Sequence, residues 1–200
     1  MKNINILLFV IFFGLNVGSL AENDLKVKRI FEGKKDAKIT IIAYESLTCS
    51  HCADFHINVY PKLKTDFIDT GIAKIEFRHF PLDIVAFNAS KLSQCNNDSK
   101  SDIMHILFSN QEKWVKGNSA DDMNAHLKNF LKEKNLNLDF EKCITNKSIE
   151  DYVLNDRIEG QKKFNINSTP TIIINNEKFT GSLNYKNLKK AIESTSFLSS

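Results

Sequence analysis

Ile39-Thr40-Ile41-Ile42-Ala43-Tyr44-Glu45-Ser46-Leu47-Thr48-Cys49-Ser50-His51-Cys52 is the stretch that decides the fold of this chain. From Ile39 to Tyr44 the residues are, Ala43 apart, β-branched or aromatic, as in a buried strand. After Cys52 the spacing changes: Phe55, Val59, Leu63 and Phe67 recur every four residues, leaving Asp54, Lys62, Lys64 and Asp66 off that face. This is the pattern of an amphipathic helix. The cysteines are therefore expected at a strand-to-helix junction, with Pro61 kinking or dividing the helix that follows.

Two cysteines at this spacing form either a small, easily opened disulfide ring or half of a metal site. A helix beginning near Cys49 aims unpaired N–H groups and the positive end of its dipole at that sulfur, favouring thiolate over thiol. Cys49 is the expected nucleophile. Cys52, one turn on, is expected to be buried and to resolve a mixed disulfide. His51 between them would add positive charge or a hydrogen bond; in such settings a cysteine pKa of about 8.5 falls to roughly 3.5–7.5. A stabilised thiolate favours the reduced form and makes the disulfide a stronger oxidant. The pair is then its own redox group, and no cofactor is implied.

Residues 1–21 carry one basic residue, Lys2, an apolar run from Ile6 to Leu15, and Ser19-Leu20-Ala21 with small residues at the outer positions. They read as a secretory signal cleaved after Ala21. A permanent membrane anchor would need about 20 predominantly apolar residues, and Asn5, Gly14 and Asn16 interrupt this run. Export places the protein in the periplasm, an oxidising compartment in which cysteines form disulfides. The formal charge of +3 is too small to indicate nucleic acid or an anionic membrane as a partner. What remains after residue 21 is the length of one compact domain, expected to be a monomer.

A short strand is expected over Val27–Phe31 and a turn at Gly33-Lys34-Lys35-Asp36, with the helix after Cys49 ending near Gly71. Ala73, Ile75 and Phe77 alternate with Lys74, Glu76 and Arg78, which completes a βαβ unit with a parallel pair. From Asp83 to Phe164 the pattern is helical: Ile84–Cys95, Asp102–Trp114, Asp121–Lys134, Phe140–Asn146 and Ile149–Phe164. Ser119 with Asp122 and Ser148 with Asp151 resemble capping boxes. Thr171–Ile174, the turn Asn175-Asn176 and Glu177–Thr180 form a hairpin, and Leu183, Leu188, Ala191 and Ile192 supply the stripe of a last helix.

Cys95 and Cys143 lie in the helical block. In an exported protein they are expected to form a structural disulfide contributing about 4 kcal/mol in the chain-entropy model. Two free buried thiols, or a zinc site shared with Cys49 and Cys52, are the alternatives. Zinc sites usually draw on a second close pair, which this chain lacks. No metal is expected. Ala53, where a haem-attachment motif has histidine, argues against covalent haem.

The order of elements, with Cys49-Ser50-His51-Cys52 at the first strand-to-helix turn, resembles the thioredoxin superfamily, and the helical insertion resembles its DsbA-like branch. Tyr44-Glu45-Ser46-Leu47-Thr48, Phe80-Pro81-Leu82-Asp83 and Ser168-Thr169-Pro170-Thr171 are similar to segments of alphaproteobacterial DsbA-like proteins. The resemblance implies an α/β, thioredoxin-like fold with a helical insertion domain. Its parts would be 22–82, the insertion 83–165, and 166–200. It implies that Pro170 is cis and lies against the redox pair, and that Thr169 and Ser50 meet an extended substrate by β-augmentation. It also implies a protein-disulfide oxidoreductase acting on reduced exported proteins, with a DsbB-like, quinone-linked membrane oxidase as its partner. An isomerase or reductase is the rival within enzymes. A chaperone-like binding protein or a metal-binding module is the rival from another class.

Relatives place glutamate where this chain has Ala43, and here the acid stands two residues on, at Glu45, on the same strand face. Glu45 reads as a polar residue closing the strand, with a proton relay for Cys52 as the alternative. His56, one turn beyond Cys52, either tunes the site or serves packing. His79, His105 and His126 have no partner recognisable by spacing and read as structural or surface residues. Trp114 and the phenylalanines read as core.

Overall fold

The computed structural model of the chain describes residues 26–198, with side chains to 195, and its central strand is β2 (Ile39–Glu45). The expected export signal, residues 1–21, lies outside the described residues. The sheet has the order β1-β3-β2-β4-β5, with β1 at Ile30–Glu32, β3 at Ala73–His79, β4 at Thr171–Ile174 and β5 at Glu177–Lys178. Only β2 and β3 run parallel, with Ala43 opposite Phe77. β1 pairs with β3, β4 with β2, and β5 with β4, all antiparallel.

Between β2 and β3 lies one helical stretch in four pieces: α1 (Ser50–Asp54), a π turn (Phe55–Val59), α2 (Tyr60–Leu63) and a second π turn (Lys64–Ile68). Pro61 falls in the first turn of α2, directly after the π turn, where it has no N–H to give back along the helical stretch. The division expected from Pro61 is present, and it takes the form of π turns on either side. Six helices separate β3 from β4: α3 (Ile84–Gln94), α4 (Asp102–Ser109), α5 (Gln111–Trp114), α6 (Ala120–Glu133), α7 (Phe140–Ile144) and α8 (Lys147–Phe164). The last helix, α9, is Tyr185–Leu198.

Several expected boundaries move. The single helix over 102–114 is two helices, because Asn110 leaves helical geometry (φ −130°, ψ 25°). The first strand begins at Ile30 rather than Val27. Ser119 caps α6 by accepting from the Asp122 N–H, whereas α8 is capped by Asn146, which accepts from Ile149, so that Ser148 lies inside the helix. Asx side chains reach the N3 amide as readily as serine, and Asn146 comes first in the chain. The hairpin turn is at Asn175-Asn176, both at positive φ.

Period-two alternation in β2 divides the core. Ile39, Ile41 and Ala43 join the large cluster that takes in Phe55, Leu63, Phe108, Trp114 and Ile192. Ile42 and Tyr44 face the other way, onto Phe80, Ile166 and Ile173 with Phe164. On that second side α8 comes very close to the sheet: a Cβ at Gly160 would stand 2.7 Å from the Tyr44 ring. Trp114 is fully buried, and its indole N–H donates to the Leu107 carbonyl at 2.9 Å. Cys95 and Cys143 are joined as a disulfide across the helical block. His79 is buried, and its backbone N–H donates to the carboxylate of Asp156, which also pairs with Arg29.

Candidate active site

Cys49 occupies the N-cap of α1 in an extended conformation (φ −78°, ψ 119°). Its N–H donates to the Ser46 carbonyl at 3.0 Å, and its own carbonyl accepts from Cys52 and Ala53 at 3.1 and 3.2 Å. From α5, the Gln111 amide donates to the carbonyls of Leu47 (2.8 Å) and Cys49 (3.1 Å), fixing the loop that enters the helix. The loop is held on its other flank as well. Leu82 N–H donates to Ser46 Oγ, and Thr48 Oγ1 donates to Asp83, the residue that caps α3.

The two cysteines are in the dithiol form, Cys49 half-buried and Cys52 buried. Their environments oppose each other. A hydrogen bond from the Cys52 thiol is the main cause that lowers the Cys49 pKa from 9.0 to about 5; it outweighs burial, with Thr169 and the backbone N–H groups of Cys52 and His51 adding to it. Burial, first, then donation to Cys49 and the negative charge of Glu45, push the Cys52 thiol far above the ordinary range. The contribution of His51 to the thiolate is through its backbone N–H; its side chain is exposed, as is that of Ser50.

The Thr169–Pro170 peptide bond is cis and lies beside the pair, with Cys49 Sγ 3.4 Å from the Thr169 carbonyl oxygen. His51, Asp54, Phe55, Thr169, Pro170 and Leu183 line a cavity of about 210 Å³ at this edge. Of the residues expected at the site from sequence, Cys49, Cys52, Ser50, His51, Thr169 and Pro170 are thus brought together. Cys95 and Cys143 lie elsewhere, within the helical block.

Glu45 is no solvated strand end. It is 2% exposed, and both its carboxylate oxygens lie 2.9 Å from His56 Nε2. His56 Nδ1 lies 2.9 Å from Nδ1 of His105, on α4, and His105 Nε2 lies 2.7 Å from Glu32 Oε1, at the end of β1. Of the two readings the sequence allowed, His105 is therefore structural, a half-buried link between His56 and Glu32. The four-residue step from Cys52 to His56 signals a shared helical face. Nothing in the sequence signals His105, Glu32 or Gln111, which reach the site from other elements.

A family model described as Thioredoxin matches residues 26–194. A putative protein-disulfide oxidoreductase of Rickettsia bellii is 35% identical over 99 residues, 48% of this chain and 36% of the relative. Disulfide bond formation protein D of Bacillus subtilis is 28% identical over 171 residues, 80% of this chain and 74% of the relative. The match to the Rickettsia protein therefore spans only about a third of that relative's length. Among solved structures, Wolbachia pipientis alpha-DsbA1 superimposes with a TM-score of 0.76 at 31% identity, covering 86% of this chain and 92% of that one. With the redox pair at the first strand-to-helix turn and the helical insertion between β3 and β4, the chain belongs to the thioredoxin family, in its DsbA-like branch.

Proposed function

We propose that this protein is a thiol:disulfide oxidoreductase that passes the Cys49–Cys52 disulfide to reduced exported proteins. The observation that carries the reading is the opposed environments of the two sulfurs: Cys49 is held as a thiolate at neutral pH and Cys52 as a thiol. Stabilisation of the Cys49 thiolate lowers the free energy of the reduced form, so the disulfide is an oxidant. A substrate thiolate attacks the Cys49 sulfur, Cys52 departs, and a second substrate thiolate resolves the mixed disulfide, leaving both enzyme cysteines reduced. The edge at Thr169 and Pro170 receives the extended substrate chain next to Cys49, with Ser50 and His51 exposed at the rim.

The names of the Bacillus and Wolbachia proteins support the oxidising direction, as does the low Cys49 pKa. The signal-like residues 1–21 support export to the periplasm, and no helix among the described residues is long and apolar enough to cross a membrane. Reoxidation falls to a quinone-linked membrane partner of the DsbB kind, and the cysteine pair itself serves as the redox group. The test is the reduction potential of the pair together with its redox state in the cell, trapped by alkylation. An oxidase has a potential near −120 mV and a largely oxidised pair; a value near −270 mV, thioredoxin's, with a reduced pair refutes the reading.

A further inference from the structure

The cavity beside the redox pair has a wall that the exchange reaction does not use. Of its lining residues, Thr169 and Pro170 belong to the edge described above, and the Thr169 carbonyl oxygen lies 3.4 Å from Cys49 Sγ. The others are His51 and Asp54 from α1, Phe55 from the π turn after it, and Leu183 from the segment before α9. Phe55, Pro170 and Leu183 are the apolar members, and Asp54 brings a carboxylate. Among the described residues, no lysine or arginine lines the cavity.

Asp54 is held in place but left half-used. Its Oδ1 accepts from the Asn58 side-chain amide, one turn further on, at 2.6 Å. Its Oδ2 has no protein partner among the described residues. Other carboxylates of the same helical stretch are engaged: Asp66 accepts from the Tyr185 hydroxyl, and Asp69 pairs with Lys64 at 2.5 Å. The Asp54 side chain is exposed, so its free oxygen is open to whatever enters the cavity.

A client chain paired with the Thr169 edge is extended, and its side chains alternate. The residue two positions from the client cysteine therefore points the same way as that cysteine, toward the enzyme, about 7 Å along the edge. On the Pro170 side such a side chain enters the cavity, which at about 210 Å³ has room for one long side chain. An acidic occupant would be repelled by Asp54. An apolar one would strip water from the free oxygen without replacing the hydrogen bond. Lysine or arginine lays its methylenes on Phe55, Pro170 and Leu183 and brings its charged end to Asp54. That cation also offsets the repulsion between Asp54 and the incoming client thiolate.

We infer that Asp54 is a specificity-determining residue that selects reduced clients carrying a lysine or arginine two residues from the reacting cysteine; this rests on the exchange at Cys49 and the client edge proposed above. Asp54 makes and breaks no bond. The client thiolate attacks the Cys49 sulfur, the S–S bond breaks toward Cys52, and two electrons pass from the client dithiol to the enzyme pair whatever the flanking residue. The charge at Asp54 changes only how fast each client reaches the sulfur.

The probes are single-cysteine peptides that differ only in having lysine, alanine or glutamate two residues before or after the cysteine. Each is mixed with the oxidised full-length protein in quenched flow at neutral pH. Its rate is divided by its rate with 2-hydroxyethyl disulfide, an uncharged reagent, so that the reactivity of the peptide thiol cancels. The best lysine peptide is expected to exceed its glutamate counterpart by about two- to fivefold, the scale of an exposed ion pair. Asp54→Asn, which keeps the Oδ1 acceptor for Asn58, is expected to bring that ratio toward unity, and Asp54→Lys to invert it. About 1 M sodium chloride, where the screening length is about 3 Å, is expected to suppress the ratio in the unaltered protein. Equal normalised rates for all peptides, or a ratio that survives Asp54→Asn, overturns the selection by Asp54 and leaves the proposed function standing. A thioredoxin-like potential refutes the oxidising direction instead. The same ratio is then read in reverse, from reduced protein attacking the symmetric disulfides of these peptides, and decides the role of Asp54 by the same criterion.

Discussion

Cys49 Sγ and the carbonyl oxygen of Thr169 lie 3.4 Å apart, although 120 residues separate them in the chain. The contact sets the Cys49 sulfur against the segment that carries the cis Thr169–Pro170 bond. It also means that the reactivity of Cys49 is decided jointly by the start of α1 and by the segment that leads into β4.

In the reduced protein, alkylation of Cys49 by iodoacetamide should rise through a midpoint near pH 5 and be level by neutral pH. Cys52 should remain unmodified in the folded state over the same range, since it is buried and held as a thiol. Mass spectrometry of the modified peptides checks both. A midpoint near the ordinary thiol value of 9.0 would contradict the hydrogen-bonded thiolate described above.

The same shift makes the stability of the reduced protein depend on pH. The folded-state pKa of Cys49, about 5, lies below the ordinary value of 9.0, so the thiolate favours the folded form. That stabilisation is fully present above about pH 9 and is lost as the pH falls through 5. The raised pKa of Cys52 acts in the opposite sense but only where an unfolded thiol ionises, toward pH 9 and above. Between pH 5 and 8 the Tm advantage of the reduced protein over Cys49→Ser should therefore grow. A constant difference in thermal unfolding across that window would be the contrary result.

Gln111 is the α5 residue that anchors the active-site loop. Gln111→Leu removes both of its hydrogen bonds, to Leu47 and Cys49. The expected loss is about 1–3 kcal/mol in urea unfolding. Faster exchange of the backbone amides between Ser46 and Cys49 should accompany it, because the loop loses its tie to α5. No change in either quantity would show that the amide is dispensable.

Replacing Cys95 and Cys143 together with alanine opens a loop of 48 residues. The loss expected from chain entropy is about 4 kcal/mol, read as a lower urea midpoint with Cys49 and Cys52 kept oxidised. Lys91 Nζ still bonds the Ile144 carbonyl at 2.6 Å, so the fold should survive the change. An unchanged midpoint would show that the cross-link adds nothing to stability.

Much of the architecture was legible because it is written in local patterns. The β-branched run Ile39–Ile42 leading to Tyr44, the four-residue repeat from Phe55 and the alternation in Ala73–Arg78 each set an element by its own local pattern. Boundaries were less legible where neighbouring residues compete for one role. Asn146 caps α8 in place of Ser148, and Asn110 divides a helix whose apolar spacing continues through it.

The redox pair and its place at a helix start were determined by the sequence alone, since they depend on residue type and local spacing, whereas the candidate proline edge followed from the family resemblance of Ser168-Thr169-Pro170-Thr171. What surrounds the pair was decided only by the tertiary structure. Gln111 reaches Leu47 across 64 positions, His105 reaches His56 across 49, and Glu32 reaches His105 across 73. Such contacts leave no periodic trace, because they come from how β1, α4 and α5 pack around the first helix. The same packing turned Glu45 from a strand-end acid into the buried terminus of a hydrogen-bonded line.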